Sequence, residues 1–275
     1  MKYVRILIIG LFVFTLFAHI GYATIGIHSG YHFPSLSNTE IDLILYLSII
    51  IGAQGQIWLS FGILIVALSL RVGKKWLLVF FLVYLTTLGI EVCGTVTGFP
   101  FGDYKFSALL GPKWFNLVPI SIPISWFCIS LSSYGISALI FAGEKQRWIR
   151  MFTGVLLILN IDLILDPALS HLLPVWEWFH SGPYYDIPAQ NYAGWFLTSF
   201  TILTIYELMK VNKWINRISP WLFIALYGAN VFAPLGIVLL GGLWIPGLLT
   251  TFLYLISLIF SLKALRANKV VYGEV

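Results

Sequence analysis

Residues 76–97 read WLLVFFLVYLTTLGIEVCGTVT. The run carries no charge from Trp76 to Ile90 and then places a carboxylate, Glu91, before a string of small residues. A helix rises ~1.5 Å per residue, so this run is long enough to cross a ~30 Å hydrocarbon core. Glu91 falls in its second half, where lipid should be. The turn that follows, GFPFGDYKFS (98–107), adds a second acid, Asp103, behind a Pro-Phe-Gly corner.

The rest of the chain agrees with a membrane setting. Of 275 residues, 59% are hydrophobic and only 10% charged, and the mean hydropathy is +0.92. A soluble domain carries more charge on its surface. The net charge of +5 comes from scattered basic residues with no continuous stripe, which argues against a nucleic-acid partner. Cys93 and Cys128 are too few for a disulfide framework and read as buried free thiols.

Eight stretches are long and apolar enough to span, at roughly 5–27, 42–70, 76–97, 119–142, 149–168, 191–209, 220–240 and 243–262. All should be helical, because isolated strands cannot satisfy their backbone in lipid. The expected fold is therefore all-α, a polytopic transmembrane bundle forming one integral-membrane domain over 1–275. The first stretch follows basic residues, as a signal peptide would, but it is long and lacks a clean cleavage site. It reads as a retained helix; cleavage would leave seven spans. All but two of the 16 basic residues lie on one side of this arrangement, the exceptions being Lys105 and Lys113. The excess of basic residues on cytoplasmic loops then puts both termini in the cytoplasm. It also puts the long loops 99–118 and 169–190 outside.

Glu91, Asp103, Asp162 and Asp166 are the candidate chemistry. Asp162 and Asp166 are four apart and share a helix face, and Pro167 should break that helix. An Asp near the centre of a span costs roughly 2.5–3.5 kcal/mol to insert, so such residues normally face a bundle interior and mark function. No Lys or Arg lies in the apolar middle of any span. The acids therefore cluster with little counter-charge, and a carboxyl that keeps its proton in a dry site can donate it. Around them, Trp176, Trp178, Tyr184, Tyr185 and Trp195 crowd one segment beside Asn191 and Asp186, denser than an interfacial belt requires. Such rings could line an apolar pocket or face a developing cation. Trp126 and Asn160 are weaker candidates of the same kind.

The same residues admit other chemistries. DLILD (162–166) could hold Mg²⁺ and a prenyl diphosphate, but the second acidic motif and the basic residues such a site needs are not evident. The chain's five histidines are few for a histidine-rich oxygenase. HSGYH (28–32) has helical metal-ligand spacing but a loop-forming glycine. Gly94 and Gly98 form a GxxxG pair, which signals close helix packing. A proton-coupled transporter or a non-catalytic binding protein also suits intramembrane acids, although no inverted repeat is visible.

Three stretches carry a resemblance. They are ExxGxxTGFPFGxYxFxxxLGP (91–112), LDP (165–167) and WxW…GPYYxIPxxNxxGW (176–195). Together they are similar to the carotenoid biosynthesis integral-membrane family. That family includes the membrane-type carotenoid 1,2-hydratases acting on bisanhydrobacterioruberin and γ-carotene. The likeness covers most of the chain, from about span two to span seven. Asp186 stands where the family's YYGIP has glycine, so it is not carried over as a shared functional residue. The resemblance implies a hydro-lyase that adds water across the terminal C=C of an acyclic carotenoid, giving a tertiary alcohol without metal or redox cofactor. It implies Glu91, Asp103, Asp162 and Asp166 as the acid–base set. Thr97, Phe101, Tyr104, Trp126, Trp176, Trp178, Tyr184, Tyr185, Asn191 and Trp195 would line the substrate. Partners would be the carotenoid, water, the bilayer, and other carotenoid enzymes sharing the lipid-soluble substrate.

Overall fold

The computed structural model describes residues 2–23 and 50–272. His28, His32 and the start of the second expected span lie outside the described residues. The rest is an all-α membrane bundle. Its long helices are α1 (Lys2–Gly21), α2 (Gly55–Arg71), α3 (Lys75–Thr97), α4 (Ser121–Ile140), α5 (Arg147–Asp166), α6 (Ala189–Leu208), α7 (Pro220–Leu240) and α8 (Trp244–Tyr272). Six helical stretches are long and apolar enough to cross a membrane: those in α1, α3, α4, α7 and α8, and Glu144–Leu172 around α5. Their outer faces expose large apolar side chains, among them Leu78, Phe81, Leu85, Phe152 and Phe252, as a lipid-facing surface should.

α6 falls short of that apolar threshold because it carries Gln190, Asn191, Thr198, Ser199, Thr204 and Glu207. Asn191, Thr198, Ser199 and Tyr206 are buried inside the bundle, so its polarity is spent inward. α4 is the central helix, buried along almost its whole length and packed by α2, α3, α5, α7 and α8. Its serines and Gly135 keep it thin enough for that company.

The two long loops between the helices carry the short strands of the molecule. β1 (Tyr104–Phe106) pairs antiparallel with β4 (Trp176–Trp178), in the register Tyr104↔Trp178, Lys105↔Glu177, Phe106↔Trp176. β2 (Lys113–Trp114) pairs with β3 (Val118–Pro119). These loops cap the bundle and use the ladder to satisfy their own backbone. Phe179 N–H donates to Asp103 O and Ser107 N–H to Val175 O, each at 3.0 Å.

Pro167 does not stop its helix outright. α5 ends at Asp166 and the chain continues as a wider π-type turn, Pro167–Leu172. Proline removes one i→i−4 donor and its ring crowds the preceding turn, so the wider turn absorbs the mismatch. Cys93 and Cys128 are both free, but Cys93 is exposed rather than buried, because it lies on the outer face of α3.

Candidate active site

Gly98 ends α3 in the left-handed conformation, φ +75°, with its N–H on Gly94 O. The chain then folds back over the helix it has just left. A Cβ at Gly94 would stand 2.9 Å from the Phe101 ring, and one at Gly194 on α6 would stand 2.5 Å from it. Phe101 is thus held between two glycines of neighbouring helices. That wedge delivers Tyr104 to Glu91.

Glu91 is buried, 6% exposed, and both of its oxygens are engaged. Tyr104 donates its hydroxyl to Oε2 at 2.5 Å, and Trp126 on α4 donates Nε1–H to Oε1 at 2.7 Å. Trp126 also packs on Trp195 of α6, ring centroids 4.2 Å apart. Burial first, then the neighbouring Glu91, holds the Tyr104 phenol well above its usual range, so it stays an O–H.

Asp162 and Asp166 are also fully buried. Asn191 Nδ2 donates to Asp166 Oδ2 at 2.5 Å and to Asp162 Oδ2 at 3.3 Å. Among the described residues Asp162 Oδ1 finds no donor, and its neighbour is Asp166, one turn along the same helix. Among the described residues, no cation forms an ion pair with Glu91, Asp162 or Asp166. The buried cation, Arg150, is elsewhere: it holds Glu207 through two hydrogen bonds at 2.7 and 2.8 Å and caps Phe141 O and Gly143 O.

A cavity with about 1400 Å³ of empty space, its open mouth included, joins these parts. Glu91, Phe101, Tyr104, Trp126, Trp176, Trp178, Asn191 and Trp195 all line it. Asp162 and Asp166 sit one layer behind, screened by Asn191. The amide nitrogen of Asn191 is engaged by those two carboxyls; Asn191 also lines the cavity, and among the described residues no donor bonds its Oδ1.

Other expected site residues lie apart. Asp103 is exposed and faces His180 at 3.3 Å, because Gly98 leaves room for its carboxylate on the outer surface of the turn. Thr97 is exposed and serves the helix end, donating to Cys93 O and accepting from Phe99 N–H. Tyr184 donates to Leu163 O, and Tyr185 packs on His171 and Tyr184 outside the cavity. Asn160 ties α5 to Tyr227 of α7 and to Thr250 O of α8. Among the described residues no group of three His, Cys, Asp or Glu is placed to hold a metal ion.

The far wall of the cavity was not visible in the sequence. It comes from Thr15 and His19 of α1, Tyr22 just beyond it, Gln56 of α2, and Asn230 and Pro234 of α7. Thr15 bonds Gln56, and His19 bonds Ala233 O. Spaced along apolar helices, these residues look like ordinary packing positions until α1, α2 and α7 are brought together.

Fold and site together define an integral-membrane protein with an apolar, aromatic-walled cavity that meets a buried carboxyl. The chain belongs to the carotenoid biosynthesis protein family, whose model matches residues 54–257. It is 29% identical, over 125 residues, to bisanhydrobacterioruberin hydratase of Haloarcula japonica. That likeness covers 45% of this chain and 42% of the relative, so the chain spans less than half of the length of the relative it matches. No solved structure matches.

Proposed function

We propose that the protein is a carotenoid 1,2-hydratase that protonates the terminal C=C of an acyclic carotenoid end and captures the cation with water. The observation that carries this reading is Glu91, a buried carboxyl with no ion-pair partner among the described residues, facing an apolar, ring-lined cavity together with Asn191. A trisubstituted alkene offers no polar handle, so an enzyme acting on it needs a strong acid in a dry site and a shape that fits hydrocarbon. Addition of the proton to C2 leaves a tertiary cation at C1. Trp126, Trp195, Trp176 and Trp178 present ring faces and edges around the cavity that suit such a cation.

Asn191 Oδ1 is the acceptor that would hold the attacking water. The oxygen of that water bonds C1, and its surplus proton returns to the Glu91 carboxylate, so the cycle consumes no net proton. The Asp162–Asp166 pair accepts from Asn191 Nδ2 and so fixes that amide's orientation. Glu91 is thus the donor, and the aspartates hold the amide that positions the water. The likeness to a hydratase supports the same reaction class. The polyene would reach the cavity from the bilayer, and the capped, loop-bearing end of the bundle would face outward, following the distribution of basic residues.

The test is expression in a host that makes an acyclic carotenoid, with mass analysis of the pigments. A gain of one water per end, with the oxygen labelled when cells grow in heavy-oxygen water, is expected. Glu91→Gln and Asp162→Asn should abolish it at unchanged protein level. An unlabelled hydroxyl would indicate an oxygenase and overturn the reading. A requirement for Mg²⁺ and a prenyl diphosphate would indicate a transferase, and unchanged pigment a binding or transport protein.

A further inference from the structure

Glu91 is assigned above as the proton source, and the donor inventory around it decides how that proton leaves. Trp126 Nε1 has a hydrogen and no lone pair, so at 2.7 Å it can only donate to Oε1. Oε1 is therefore the carbonyl oxygen of a neutral Glu91, and the proton sits on Oε2. Oε2 faces the Tyr104 hydroxyl at 2.5 Å. A hydroxyl both donates and accepts. Once Oε2–H donates to it, the hydrogen of Tyr104 is released from Glu91. Among the described residues no other protein acceptor bonds that hydroxyl, and Tyr104 lines the cavity.

The geometry points to Tyr104 as the catalytic residue that delivers the Glu91 proton to the alkene. This rests on the hydratase reading and deepens it. As the C–H bond forms at C2, the Tyr104 O–H bond breaks and the phenol oxygen takes the proton of Glu91 Oε2. Glu91 ends as a carboxylate held by two donors, Trp126 N–H and the re-formed Tyr104 O–H. The positive charge passes to C1, where water captures it. The phenol gains a proton as it loses one and never carries a full charge. That matters because its burial disfavours a phenolate. The arrangement also explains the glycine pair around Phe101: the wedge sets the position of Tyr104, three residues beyond a close contact with both α3 and α6.

The experiment measures hydration by membranes in mixtures of light and heavy water, with wild type, Tyr104→Phe, Glu91→Gln and the double variant. Two protons in flight during alkene protonation should give wild type a bowed dependence of rate on deuterium fraction. Tyr104→Phe should lose at least 100-fold in kcat, with carotenoid binding, read from the pigment spectrum, unchanged. The double variant should be no worse than Glu91→Gln alone, since both remove the same proton path. A linear or absent isotope dependence in wild type would overturn the proposal without any variant. So would Tyr104→Phe retaining more than a tenth of wild-type kcat, or a double variant showing the full product of the two single losses. Wild type forming no hydrated product would instead remove the hydratase reading itself.

Discussion

The indole N–H of Trp126 lies 2.7 Å from Glu91 Oε1, so a donor on the central helix sets the orientation of a carboxyl on its neighbour. Trp126→Phe keeps the ring against Trp195 and removes only that donor. A hydrogen bond to a charged group contributes about 1.5–3 kcal/mol, and the Glu91 charge appears only when its proton leaves. Hydration kcat should fall about 10- to 100-fold with a smaller change in KM. Equal losses in kcat for Trp126→Phe and for a Trp195→Phe control would show that the N–H has no special role.

Gly194 is the close-approach position of α6. An added Cβ would stand 2.5 Å from the Phe101 ring and 2.9 Å from Pro100 O, contacts that real side chains do not tolerate. Gly194→Ala should shift the turn, draw Tyr104 off Glu91 and cost more activity than stability. The expected outcome is hydration reduced about tenfold or more, with overpacking costs of about 1–3 kcal/mol read as a lower thermal midpoint in detergent. Unchanged activity would mean that the turn is not held by that contact.

Arg150 and Glu207 lie far along the chain from Glu91 and line no part of the cavity. Among the described residues, Arg150→Met leaves the Glu207 carboxylate the Tyr134 hydroxyl as its side-chain donor. Breaking a buried pair by removing one member costs about 3–5 kcal/mol. The variant should accumulate poorly and unfold earlier, while the fraction that remains folded hydrates at near the wild-type rate. A folded but inactive Arg150→Met would link this pair to catalysis instead.

Asp103 and Tyr185 stand outside the cavity, one facing His180 on the surface and the other packed on His171. Exposed ion pairs contribute about 0–1 kcal/mol. Asp103→Asn and Tyr185→Phe should each keep hydration within about twofold of wild type. A loss of tenfold or more in Asp103→Asn would return that carboxylate to the acid–base set.

Much of the fold is legible in the residues because the bilayer reduces the choices. Runs such as 76–90 have to be helical, and each long helix coincides with an apolar run. α6 is recognisable despite its polarity, since apolar residues fill its exposed face. The β1–β4 ladder is not legible: three-residue strands joined across about 70 residues leave no periodic trace. Asp103 illustrates a further limit. Its place next to Glu91 in the sequence suggests a shared cluster, but the left-handed corner at Gly98 turns its side chain outward and brings Tyr104 inward instead.

The order of residues is enough to tell that this chain belongs in a membrane, where its helices run, and that Glu91, Asp162 and Asp166 are out of place unless they face inward. Those conclusions need only the free energy of transferring a side chain to lipid, which each residue carries locally. It takes the packing of the helices to show that Glu91 meets Tyr104 and Trp126, that Asn191 separates the aspartates from the cavity, and that α1, α2 and α7 close its far wall. Hydrogen-bond partnership depends on distances of a few tenths of an ångström between helices remote in sequence. It is set by where glycines and rings allow those helices to touch.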